Sequence, residues 1–203
     1  NPTMLALTAT VKNIPFALYF AALGAGFILA MSGLIQRYVL FLGHQAYAFP
    51  AVIGGLLVAA GVGSFISGFF KNRPHLAIAI AVPLICAALA GLHYGLDHLF
   101  STTAHMALKR RIVISVLVLI PLGVPLGMMF PTGLAMVKKT SPLFIPWAFG
   151  INGVFSVIGS TIVLPGAIMF GFPKMSMAAG LTYATAGLLG YFLAKRSVAT
   201  HTP

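Results

Sequence analysis

The chain has 203 residues, 60% hydrophobic and only 6% charged, with a mean hydropathy of +1.03; soluble domains are about 25% charged and about 45–50% apolar. Twelve Lys and Arg face a single acid, Asp97, giving a net charge of +11. This composition predicts an all-α polytopic membrane bundle. With one carboxylate it excludes paired-acid hydrolysis, two-metal catalysis and carboxylate proton relays, which all need more than one acid.

The basic residues lie in short groups between apolar stretches, where they meet lipid headgroups and set orientation, so no nucleic-acid partner is expected. The single cysteine, Cys86, lies within an apolar stretch. No intrachain disulfide, paired-cysteine metal site or haem-attachment motif is therefore available. Asn1 to Val11 lacks the basic, apolar and small-residue segments of a secretory signal, and a first residue other than Met predicts a piece of something longer.

About 30 Å of hydrocarbon requires about 20 apolar residues at 1.5 Å each, which divides residues 1–203, read as one transmembrane domain, into six spans. The first runs from Ile14 to Ile35, ending at Gln36 and Arg37, with Tyr38 to Gly43 continuing at the interface. The second covers Phe49 to Phe70 and stops at Lys71, Asn72, Arg73 and Pro74; the third covers Leu76 to Leu96. Asp97 to Arg111 reads as the longest polar connection, part of it an interfacial helix. Ile112 to Phe130, Pro146 to Phe170 and Met175 to Leu193 complete the set. Six spans place both termini on one side. Lys12, Lys71, Arg73, Lys138, Lys139, Lys195 and Arg196 would lie on that side, against Arg37, Lys109, Arg110, Arg111 and Lys174 on the other. This favours cytoplasmic termini.

Small residues at Gly26 and Ala30, at Ala60, Ser64 and Gly68, and at Gly63 and Ser67 predict close helix contacts. Pro83, Pro121, Pro125 and Pro165 each remove a backbone hydrogen bond inside a span. The fifth span is the most distinctive. Read as a helix, it sets Asn152, Ser156 and Ser160 at i, i+4 and i+8 with Gly153 and Gly159 beside them, a small polar face suited to another helix. Asn152 reads as a polar clamp; the sharper alternative is a substrate contact.

His93 and Asp97 are four residues apart, with His98 adjacent and His105 beyond. These four are weak candidate metal ligands, and no spacing among them matches a metal motif, so no metal is expected. Their plainer reading is an interfacial segment in which Asp97 pairs with His93 or Lys109. His44 reads as an interfacial or turn residue. Arg37, at the end of a span, is expected to snorkel to the headgroups; the alternative is a buried role in which Gln36 and Arg37 bond carbonyls or Asn152. No phosphate-binding glycine loop and no GxSxG elbow occurs.

Two regions carry a resemblance. GAGFILAMSGLIQRYVLFLGHQAYAFPAVIGGLLVAAGVGS, within Ala22 to Ser64, resembles the first helix pair in the membrane half of spermidine synthase-like integral membrane proteins. FPTG at Phe130 to Gly133, PWAFGINGVFSVIGS at Pro146 to Ser160, and FGF at Phe170 to Phe172 are similar to that family's later signatures. The resemblance implies helices related to major-facilitator transporters, accompanying a soluble aminopropyltransferase-like domain that has no counterpart in these residues. It also implies a bacterial inner membrane. Met31 stands where the family pattern carries a glutamate, which removes an intramembrane acid that would pair with Arg37.

The expected function is a non-catalytic membrane module, an anchor or scaffold whose partners are lipids together with other subunits or a fused soluble domain. One alternative is a transporter or half-transporter. Another is the membrane domain of a polyamine synthase-like enzyme whose catalytic domain lies elsewhere. No cofactor is expected.

Overall fold

The computed structural model describes residues 2–199, and the side chains of residues 13–171 and 174–195. Six α-helices follow in order: α1 (Pro2–Leu42), α2 (Gln45–Ser67), α3 (Pro74–Thr103), α4 (Leu108–Thr140), α5 (Ile145–Phe170) and α6 (Phe172–Ala199). All six are long and apolar enough to cross a membrane. The protein is an integral membrane helical bundle. The side chains of Lys12 and Arg196, two of the cations used to orient it, lie outside the described residues.

The connections are short because their residues stop helices cleanly. Gly43 adopts φ 81°, a left-handed conformation that glycine takes without steric penalty, and its N–H closes α1 on the Val39 carbonyl at 2.9 Å. His44 then caps α2, its Nδ1 accepting from the Ala46 N–H at 3.1 Å. Its turn role is a helix cap. Pro74 opens α3, where its missing N–H costs nothing. Gly171, φ 85°, separates α5 from α6.

One expected boundary moves. The segment from Asp97 to Thr103 is the last part of α3, and the connection to α4 shrinks to residues 104–107. The hydroxyls of Ser101, Thr102 and Thr103 donate to carbonyls of His98 and Leu99 in their own helix, which keeps a polar sequence helical.

Five helices close a ring in the order α1, α2, α4, α3, α6, with α1 and α4 also touching across it, while α5 packs outside against α1. The core holds Tyr19, Phe20, Tyr38, Leu119, Leu122 and Met136, all fully buried. Lipid supplies no hydrophobic drive between helices, so contact depends on close packing and hydrogen bonds. Glycine permits the packing. A Cβ on Gly63 would strike the Val124 backbone, and one on Gly127 would strike the Ala60 backbone, so α2 and α4 meet main chain to main chain. Of the two small-residue rows expected on α2, the one at Gly63 and Ser67 is buried, whereas Ser64 is exposed.

Buried tyrosines supply the hydrogen bonds. Tyr19 on α1 donates to the Met129 carbonyl of α4 at 2.7 Å, and Tyr38 to the Ser115 carbonyl at 3.3 Å. Tyr183 on α6 donates to the Leu23 carbonyl of α1 at 3.5 Å, the longest of the three. Phe20, Phe130 and Phe149 continue the contact edge to face from α1 through α4 to α5, with centroids 5.2 and 5.0 Å apart.

Gly63→Val and Gly127→Val are each expected to lower stability by about 3 kcal/mol, because backbone cannot move aside as a side chain can. Gly54→Ala and Gly61→Ala, which meet nothing within 4 Å, should leave it unchanged or raise it by up to about 1 kcal/mol. Reversible unfolding in mixed detergent micelles measures both.

Candidate functional site

The fifth helix joins the bundle chiefly along one seam with α1, with smaller contacts to α4 and α6. It buries 17% of its span, against 33% to 44% for the other five. Ala148, Gly159, Val163 and Ala167 are its buried residues, with Asn152 and Ser156 half-buried on the same side. The Asn152 Nδ2 donates to the Phe20 carbonyl of α1 at 3.2 Å, and the Ser156 hydroxyl turns back to the Asn152 carbonyl at 2.8 Å. A Cβ on Gly24 of α1 would collide with the Asn152 carbonyl, and one on Gly159 would press on Ala25 at 3.2 Å. The seam is a polar clamp between two closely opposed backbones.

Gly153 and Ser160, expected in this seam, lie outside it. Gly153 is exposed with nothing within 4 Å of its Cβ direction, and Ser160 is exposed and bonds the Val157 carbonyl of its own turn. Helical geometry explains both. At about 100° per residue, Gly153 is about 100° round from Asn152 and Ser160 about 80°, whereas Gly159 returns to within about 20°. The i, i+4, i+8 row drifts off the face that i, i+7 keeps.

Beside the seam lies a cleft of about 380 Å³ between α1, α2, α4, α5 and α6, where Asn152, Ser156 and Ser64 interrupt a wall of Phe27, Leu57 and Phe130. Such a lining suits a neutral or amphiphilic molecule that takes one or two hydrogen bonds.

The second polar feature is at the far end of α1. Arg37 Nη1 donates to the carbonyls of Leu92 and His93 at 2.9 and 3.1 Å, and Nη2 pairs with Asp97 Oδ1 at 2.7 Å. The Arg37 side chain is 14% exposed, that of Asp97 83%. Arg37 therefore bonds carbonyls across a helix gap, and it does not reach Asn152. Asp97 pairs with Arg37 rather than with His93 or Lys109. Gln36 is half-buried beside Arg37.

His98 and His105 are exposed on α3 and on the turn after it, while the His93 and Tyr94 rings meet at right angles with centroids 4.7 Å apart. The four candidate ligands do not converge, and the described residues hold no group of three that could ligate a metal. Tyr19, Tyr38, Tyr183 and Gly24 are structural participants that the sequence reading did not single out. A phenol in mid-span was the available signal, since its hydroxyl must find a partner away from water. No protein-family profile, curated protein or solved structure matches the chain.

Asn152→Ala should cost about 1 kcal/mol, the scale of an interhelical hydrogen bond in lipid. Gly24→Val should cost more, about 3 kcal/mol, because it drives α5 off α1. Unfolding monitored by fluorescence of Trp147, the only tryptophan and on α5, checks the order.

Proposed function

We propose that this protein is a non-catalytic membrane module, an anchor or scaffold for a partner subunit or a soluble domain on the same polypeptide. The observation that carries the reading is the uncovered side of α5. Gly150 and Gly153 there meet nothing, and Val157, Ser160 and Thr161 continue the exposed face. The two hydroxyls are satisfied within the helix, both on the Val157 carbonyl, so they present small, smooth contours rather than unmet polarity. Small residues of this kind let a second transmembrane helix approach closely, and lipid gains nothing from them. The home membrane we assign is a bacterial inner membrane with cytoplasmic termini, which rests on the family resemblance and on the cation distribution.

A second reading, a facilitator-like half-transporter, rests on the cleft that Asn152 and Ser156 share with α2 and α4. Reconstituted chain that carries no saturable flux of organic solutes would remove it.

For the scaffold reading, Gly153→Phe and Ser160→Phe are the informative variants. Neither side chain touches the rest of the bundle, so the unfolding midpoint of the isolated chain should not change. Association in native membranes, read as complex size on a native gel, should fall at least tenfold. Unchanged complex size in both variants would contradict the proposal.

A further inference from the structure

The Arg37 and Asp97 pair also forms part of a cavity. A half-open space of about 610 Å³ lies between α1 and α3, walled by Gln36, Arg37, Leu40, His93, Tyr94 and Asp97. Its depth is set by helix length. Arg37 is about 36 Å along α1 from Asn13, and Asp97 is about 35 Å along α3 from Pro74, at 1.5 Å per residue. With about 30 Å of hydrocarbon, both belong at the level of the headgroups.

The cavity holds unused hydrogen-bonding capacity of two kinds. A guanidinium has five N–H donors, and Arg37 spends three, two on carbonyls and one on Asp97. Asp97 spends one oxygen on Arg37 and is otherwise open to the outside. Gln36 contributes a carboxamide to the wall.

Charge narrows the occupant. The ion pair is neutral overall, so a simple anion would face the carboxylate and a simple cation the guanidinium. A zwitterion of matched length satisfies both. Asp97 and Gln36 offer acceptors, which a primary ammonium can use and a trimethylammonium cannot. We propose that this cavity binds the headgroup of a phosphatidylethanolamine-type glycerophospholipid, with the ammonium on Asp97 and Gln36 and the phosphate on the unspent N–H groups of Arg37. The acyl chains continue into the leaflet beside α1 and α3.

The test uses the full chain equilibrated with vesicles containing equal amounts of phosphatidylethanolamine, phosphatidylcholine and phosphatidylglycerol, followed by native mass spectrometry of retained lipid. The expected result is about tenfold preferential retention of phosphatidylethanolamine, a preference of about 1.4 kcal/mol. Asp97→Asn should abolish it, and Gln36→Leu should reduce it to about threefold. The carbonyl bonds of Arg37 remain in both variants, and circular dichroism verifies their helicity. Equal retention of the three lipids by the unmodified chain would overturn the proposal. So would a preference for phosphatidylglycerol, which signals general attraction to cations, or an undiminished preference in a folded Asp97→Asn chain. Binding of free O-phosphoethanolamine with no retained lipid would assign the cavity to a soluble zwitterion and would also overturn it.

Discussion

Every polar tie between helices described above ends on a backbone carbonyl or begins from one arginine. Tyr19, Tyr38, Tyr183 and Asn152 each donate to the main chain of a neighbouring helix, and Arg37 donates to two carbonyls of α3 before it reaches Asp97. A helical carbonyl has a second lone pair after its intrahelical bond is made, and within a bilayer it is an acceptor that needs no polar side chain. Reaching it requires the backbones to approach. The glycines at Gly24, Gly63 and Gly127 supply that approach, so small residues and isolated donors form one system.

Helix α1 is the common partner. It donates through Tyr19, Tyr38 and Arg37 and accepts at Phe20 and Leu23, and it touches all five other helices, reaching α3 through the side chains of Arg37 and Phe41. At its far end, Phe41 stacks on Phe100 of α3 at 4.0 Å while Arg111 of α4 sits 4.6 Å over the Phe41 ring. That contact places one member of the Lys109, Arg110, Arg111 cluster on an aromatic face inside the bundle, leaving the other two exposed. The cluster is thus divided between packing and the membrane surface, which lowers its weight as a marker of sidedness.

The same physics explains what was legible in the sequence. Span number and fold class follow from hydropathy and length, and the clamp role of Asn152 follows from a carboxamide in an apolar helix. Its partner does not follow, because Phe20 accepts through its carbonyl and any residue there would offer the same atom. The outward placement of Gly153 and Ser160 was legible in principle, from the drift of an i+8 position at 3.6 residues per turn. The pairing of Arg37 with Asp97 was hidden by the assignment of Asp97 to a loop. Once α3 extends to Thr103, that carboxylate stands at the same height as the guanidinium, and hydropathy alone carries no signal for an amphipathic final turn.

Helix α5 is where structure bears on function, since it is held to α1 by one seam and leaves small residues facing outward. A photoreactive phenylalanine derivative at Gly150, Gly153, Val157 or Ser160, irradiated in the native membrane, tests the scaffold account most directly. The account predicts protein adducts at these outward positions and lipid adducts at control sites such as Leu84 and Leu188. Lipid adducts alone at all four α5 positions would contradict it.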